Sequence, residues 1–152
     1  MVGVIVSESR SPSLSQPVIL GLDPGRQKCG LAIVGVDRIL RYQEVVTVDA
    51  VLSTVERLRL RFPISTIVLG DQTGSKQWKE TLAQMADPPR IMLVDERYTS
   101  LEARDRYWQM YPPAGLAKLL PQSFRTIPRP IDDIVAILLI ERYLNRLTEN
   151  LA

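Results

Sequence analysis

Carboxylates follow apolar runs at three points of the chain and open a fourth apolar segment. These acids are Asp23, Asp71, the pair Asp95 and Glu96, and the pair Asp132 and Asp133. If the strands are neighbours in one sheet, their carboxyl ends bring the acids together. Converging carboxylates cannot all ionise without a compensating cation, and Mg²⁺ or Mn²⁺, which prefer oxygen ligands, would supply it. The pattern therefore predicts metal-dependent cleavage of phosphodiester bonds.

Each strand-end acid also has a structural interpretation. Asp23 lies in Asp-Pro-Gly, a sequence suited to a turn, and its carboxylate could bond to that turn. Asp71 could cap the following helix or hold its loop. Asp95 and Glu96 could form surface ion pairs with neighbouring arginines. These alternatives stay open on the sequence alone.

The acids near helix starts divide differently. Asp133 is expected in the first helical turn, where the helix dipole favours negative charge, whereas Asp132 is favoured as a ligand. Thr99 and Glu102 have the spacing of a capping box. Glu102 is therefore expected to serve the helix rather than the chemistry.

Composition excludes several kinds of site. The chain has 152 residues, no histidine, one cysteine and a formal net charge of +2. Ser-His-Asp and Cys-His nucleophilic sites and imidazole zinc sites are thereby excluded. The lone Cys29 cannot form an internal disulfide, which favours a packed role in a reducing, cytoplasmic setting.

The chain is expected to form one domain over residues 18–148, preceded by a flexible tail over 1–17. No apolar run reaches the roughly 20 residues that span a bilayer, and the first residues lack the order of a secretory signal. We therefore expect no membrane partner, a cytoplasmic location, and a monomer or homodimer.

Hydrophobic periodicity indicates an α/β protein. The predicted strands are 18–23, 29–36, 39–47, 64–70 and 90–94, and the predicted helices are 49–62, 75–87, 100–110 and 130–147. A long basic loop over 111–130 should contain a short helical turn near 115–120. The economical arrangement is a mixed five-stranded sheet, with a three-strand meander and two parallel strands, flanked by helices.

Three segments resemble the signatures of the YqgF/RuvX family, which belongs to the RuvC-like branch of the RNase H-like superfamily. They are ILGLDPGRQKCGLA at 19–32, VDERYTSLEA at 94–103 and IDDIVAILLI at 131–140. The resemblance implies an RNase H-like fold with Asp23, Glu96 and Asp132 as catalytic residues and ligands of Mg²⁺ or Mn²⁺. Asp95 is then a second candidate beside Glu96.

One position departs from the family pattern. The family has a Gly-Leu-Pro segment after the fourth strand, where this chain has Gly70, Asp71 and Gln72. RuvC resolvases place an acid followed by glutamine there. Asp71 is therefore a candidate fourth metal ligand.

The resemblance implies a nuclease that processes precursor 16S rRNA in ribosome biogenesis, with pre-ribosomal particles as a partner. The alternatives are a Holliday junction resolvase acting on DNA and a non-catalytic RNA-binding protein. The basic candidates for nucleic-acid binding are Arg26, Lys28, Lys76, Arg97, Arg125 and Arg129. Tyr107, Trp108 and Tyr111 are candidates for stacking on bases, although the helical pattern favours a core position for Trp108.

Overall fold

A computed structural model describes residues 4–5, 16–72 and 74–151. Its sheet has the order β1-β4-β3-β2-β5-β6. The strands are β1 (Val4–Ile5), β2 (Val18–Pro24), β3 (Lys28–Gly35), β4 (Leu40–Thr47), β5 (Ile64–Gly70) and β6 (Arg90–Val94). Strands β2, β3 and β4 form an antiparallel meander, and β5 and β6 continue the sheet in parallel from β2. The predicted mixed sheet, with a three-strand meander and two parallel strands, is confirmed.

Strand β1 is an addition to the predicted sheet. Its two residues pair antiparallel with Tyr42 and Gln43 of β4. They lie within the segment predicted to be a flexible tail. Residues 6–15 of that segment lie outside the described residues, so the tail and the single domain over 18–148 stay predictions.

The helices are α1 (Val51–Arg61), α2 (Ser75–Ala83), α3 (Thr99–Met110) and α4 (Asp132–Leu151). Short 3₁₀ turns precede α1 and lie at Gly115–Leu119 and Gln122–Phe124, as expected for the turn near 115–120. Helix α2 ends earlier than predicted, at Ala83. Pro88 explains why the helix does not reach the predicted end at Asp87, because a residue before proline is driven away from helical conformation.

The predicted capping box at α3 is wrong. The N-cap residue is Tyr98, which makes no side-chain cap. The Thr99 hydroxyl instead donates to the Glu96 carbonyl oxygen at 2.7 Å. Glu102 accepts a hydrogen bond from Arg142 of α4 at 2.8 Å. The sequence pattern places the N-cap at Thr99, but Thr99 is already the first helical residue. The N-cap therefore lies one residue earlier than the pattern indicates.

The core has two parts because alternate residues of each strand face opposite sides of the sheet. Helix α4 covers one side, and its buried residues extend from Ile134 to Leu144. Helix α1 covers the other side, where Cys29 is also buried. We call these sides the α4 face and the α1 face. In the part of the chain that is described, no helix is both long and apolar enough to cross a membrane.

Candidate active site

Three of the predicted acids meet on the α4 face. Ile19 packs on this face, and Asp23 follows it at an even spacing along β2. Val94 ends β6 on the same face, and Glu96 lies two residues further. Asp132 begins α4 itself. All three line one cavity of about 420 Å³, here called the acid cavity.

Two glycines make this arrangement sterically feasible. A Cβ at Gly30, which is opposite Asp23 in the sheet, would collide with the backbone of Asp132. A Cβ at Gly70 would occupy the place of the Glu96 carboxylate. The absence of side chains at these positions lets the first turn of α4 and the Glu96 side chain approach the strands closely.

Burial and mutual repulsion raise the pKa of Asp23 to about 7. Burial is the largest cause, and the negative charges of Asp132 and Glu96 add to it. The carboxylates therefore act on one another through the cavity. With this pKa, a substantial fraction of Asp23 keeps its proton at neutral pH when no cation compensates the charge.

The two other acids of the cavity respond in the same direction. Burial raises the pKa of Glu96, and the nearby charges of Asp71 and Asp95 raise it further. Burial also raises the pKa of Asp132, while the positive charge of Lys28 partly opposes this effect. The region is thus short of positive charge.

The donor set fits Mg²⁺ or Mn²⁺ in its chemistry, because it consists of carboxylate oxygens that repel one another. The side chains face a common cavity without closing on a single point. Within residues 4–5, 16–72 and 74–151, no three Asp, Glu or Cys side chains are gathered tightly enough to form a ready-made metal cluster. A shared ion would require the carboxylate oxygens to move closer together.

The fold resembles a solved structure. The RuvC structure from Thermus thermophilus aligns with a TM-score of 0.48 and 16% sequence identity, over 89% of this chain and 96% of that one. No model of a known protein family matches the chain, and no curated protein matches it. Membership of the YqgF/RuvX family therefore stays a prediction from the three motifs.

Asp71 and Asp95 are placed differently from the three cavity acids. Both are exposed, and each follows a residue of the α1 face, Leu69 and Leu93 respectively, at an even spacing. Asp95 accepts a hydrogen bond from the Arg97 backbone at 2.9 Å. Asp71 lies 3.4 Å from the Glu96 backbone nitrogen. Their role as ligands stays a hypothesis, and their charges act on Glu96 from the rim.

Four of the six basic candidates are exposed. They are Arg26, Lys28, Lys76 and Arg97. Lys28 has the most direct connection to the acids, because its charge lowers the pKa of Asp132. Arg26 lies in the same β2–β3 hairpin. These two positions are available for contacts with a phosphate backbone.

The remaining two candidates are engaged within the protein. Arg129 donates to Asp133 at 3.0 Å and lies over the rings of Tyr107 and Tyr111. Arg125 donates to the Ala117 carbonyl at 3.2 Å and lies over the Trp108 ring. Both nevertheless line a cleft beside Asp132. Their contacts within the protein indicate that the main role of these two arginines is to hold the 111–130 loop in place.

The aromatic candidates of α3 are mainly structural. Tyr107 is buried, and the Trp108 ring packs edge-on against it with a centroid distance of 5.0 Å. Trp108 also packs against the core of the α4 face, as its helical position suggested. Tyr111 is 41% exposed and is the most accessible of the three.

Sequence reasoning missed Tyr98, which lines the acid cavity with 69% of its surface exposed. Its backbone is left-handed, with a φ of 65°, a conformation that is unfavourable for a bulky side chain. Gln72 and Ser100 also line the cavity. The signal available in the sequence was that an aromatic residue directly follows the Asp-Glu-Arg run.

Proposed function

We propose that the protein is a divalent-metal-dependent endonuclease acting on structured nucleic acid. The observation that carries the proposal is the single cavity shared by Asp23, Glu96 and Asp132, in which burial and like charge raise all three pKa values. Carboxylates whose pKa values are perturbed by burial and by neighbouring charges are typical of functional sites.

The proposed ligands are Asp23, Glu96 and Asp132, with Asp71 and Asp95 as rim candidates. Bound Mg²⁺ or Mn²⁺ would neutralise these acids and stabilise the charge that develops on a phosphate during hydrolysis. The three acids would hold the ion, and they come from three separate elements: the end of β2, the loop after β6 and the first turn of α4.

Other groups at the cavity are suited to a phosphate. The amino end of α3 lines it through Thr99 and Ser100, and a helix amino end favours negative charge. Lys28 adds an exposed cation in the β2–β3 hairpin. Tyr98 presents an exposed ring on which an unpaired base can stack.

Cleavage assays with Mn²⁺ or Mg²⁺ test the proposal. Asp23→Asn, Glu96→Gln and Asp132→Asn should each reduce the cleavage rate by about 100-fold or more, the scale expected when reacting groups lose their positions. Asp49→Asn, which changes an exposed acid in the turn before α1, is the matched control and should retain the rate.

A second measurement does not depend on activity. Mn²⁺ should raise the unfolding temperature of the unaltered protein, because an ion that binds only the folded state stabilises it. It should raise that of Asp23→Asn much less. Equal metal stabilisation of both proteins, with equal cleavage, would refute the proposed site.

The substrate is the finer part of the proposal. The motif resemblance favours precursor 16S rRNA, with pre-ribosomal particles as the setting, and the acid followed by glutamine at Asp71 and Gln72 favours a four-way DNA junction as the second candidate. A precursor rRNA fragment, a synthetic junction and a linear duplex should be compared at equal concentration. Preferential cleavage of the first supports rRNA processing, and paired cuts in the second support a resolvase.

A further inference from the structure

A second cavity lies between β4 and α1, outside the acid cavity. Its volume is about 400 Å³, within the range of small-ligand sites. Its wall combines two cations, one carboxylate and three hydroxyl groups. The polar lining residues are Lys28, Glu44, Thr47, Ser53, Thr54 and Arg57. We refer to it as the Glu44 cavity.

The carboxylate of Glu44 is the unusual feature of this cavity. Its side chain is only 5% exposed, and among the described residues no donor hydrogen-bonds to its Oε2 atom. Arg57 Nη2 forms a long ion pair with Oε2 at 4.0 Å, beyond hydrogen-bond distance. Buried carboxylates normally have partners, so this oxygen is suited to accept a hydrogen bond from a bound molecule.

The two cations of the cavity are suited to an anionic group. The side chain of Arg57 is 60% exposed, and Lys28 is exposed at the start of β3. A molecule that satisfies the whole wall must carry a negative charge and a hydrogen-bond donor. A nucleotide has both, in its phosphate and in its hydroxyl or amino groups.

Lys28 joins the two cavities. It lines the Glu44 cavity, and its charge also lowers the pKa of Asp132 in the acid cavity. Lys28 is opposite Thr47 in the sheet, and Glu44 lies three residues before Thr47 on β4. Glu44 shares the α1 face with Tyr42 and Val46, whereas the acids lie on the α4 face. A nucleic acid that occupies both cavities would therefore pass over the end of the sheet beside Lys28.

We propose that the Glu44 cavity is a subsite for a nucleotide that flanks the cleaved bond. Its phosphate lies between Lys28 and Arg57, and it donates a hydrogen bond to Glu44. This assignment rests on the proposed nuclease function. The donor is either a ribose 2′-hydroxyl, which only RNA carries, or an exocyclic base amine, which both nucleic acids carry.

Equilibrium binding in EDTA tests the subsite without cleavage. An end-labelled RNA hairpin and its all-deoxy counterpart are titrated with the unaltered protein, Glu44→Gln and Arg57→Ala, with fluorescence anisotropy as the readout. Glu44→Gln should weaken binding about tenfold, the loss of one hydrogen bond to a charged group. The matched controls are Glu56→Gln and Arg61→Ala, which change exposed residues of α1 that do not line the cavity.

Comparing the RNA hairpin with its all-deoxy counterpart shows whether the hydrogen-bond donor is the 2′-hydroxyl or a base amine. Weaker binding of RNA alone assigns the 2′-hydroxyl, and equally weaker binding of both assigns a base amine; either result supports the subsite. Unchanged binding of both ligands by Glu44→Gln and Arg57→Ala overturns it. Thermal unfolding confirms that the variants are folded, and Glu44→Gln should be at least as stable because it removes a buried charge.

Failure of this inference is distinguishable from failure of the proposed function. If Asp23→Asn abolishes cleavage while the Glu44 and Arg57 variants bind normally, the nuclease stands and the subsite is wrong. If the Glu44 variant binds weakly but the unaltered protein cleaves nothing with Mn²⁺, the cavity binds nucleotides and the nuclease assignment is wrong.

Discussion

Asp132 and Asp133 are consecutive residues with opposite environments. Asp132 lines the acid cavity. Asp133 is 3% exposed and accepts hydrogen bonds from Arg129 at 3.0 Å and from Gln43 at 3.1 Å. The first turn of α4 therefore points one carboxylate at the cavity and uses the other to join helix, loop and sheet.

Substitutions at these neighbours should have different effects. Asp133→Ala should lower the free energy of unfolding by about 3 kcal/mol, because it removes a buried charged acceptor from the amide of Gln43 and the guanidinium of Arg129. Asp132→Asn should change it by less than about 1 kcal/mol while abolishing cleavage. Urea denaturation measures the first quantity, and the reverse ranking of the two stabilities would contradict the assigned roles.

Alanine substitutions at Gly30 and Gly70, the two glycines of the site, form a matched pair of tests. Gly70→Ala should fold, because the obstructing atoms belong to the flexible end of Glu96, but it should displace that carboxylate and reduce metal binding by about 10-fold or more. Gly30→Ala meets the Asp132 backbone instead and should destabilise the protein by about 2 kcal/mol or more. Metal titration and denaturation separate the two effects. Normal metal affinity in Gly70→Ala would show that Glu96 does not bind the ion.

The raised pKa of Asp23 predicts that stability depends on pH in metal-free buffer. Its pKa rises from an ordinary 3.8 to about 7 in the folded protein, so between these values the unfolded chain has lost the proton that the folded chain keeps. Stability attributable to this group therefore falls as the pH rises through that interval and levels off above it.

The variant Asp23→Asn removes this titration. At pH 8 it should be about 2–4 kcal/mol more stable than the unaltered protein, and the difference should disappear near pH 4. Denaturation curves at several pH values in EDTA provide the measurement. A constant difference across the range would mean that Asp23 does not titrate as described.

Tyr98 should show a conflict between stability and binding. Asparagine tolerates the left-handed backbone better than tyrosine, so Tyr98→Asn should stabilise the protein by about 0.5–1 kcal/mol. Loss of the exposed ring should weaken binding of single-stranded regions by about 5-fold or more. Leu60→Asn, which changes an exposed apolar residue of α1 away from the acid cavity, is the comparison for binding. Equal binding losses in both would remove Tyr98 from the proposed interface.

Much of the architecture follows from local patterns in the sequence. Alternation and apolar runs place the five main strands within about two residues of their observed ends. The same alternation separates the acids: Asp23 and Glu96 share the parity of Ile19 and Val94 on the α4 face, while Asp71 follows Leu69 of the α1 face. Parity along the strands was available in the sequence and would have ranked the acids before any coordinates.

Other features depend on tertiary structure that no local pattern contains. The partners of Arg129 come from α3 and α4, so its engagement was invisible in a basic loop. The isolation of the Glu44 Oε2 atom depends on how α1 packs over β4. The α3 cap was misassigned because the left-handed backbone of Tyr98 shifts the helix start.

Helix α4 fills the interior and also begins at the acid cavity. Any repacking that slides this helix along its axis therefore relocates Asp132 as well, by roughly 1.5 Å for each residue of displacement. Engineering for heat tolerance through its buried face should consequently alter turnover even when no cavity residue is touched. One helix thus couples the volume of the interior to the geometry of the cavity.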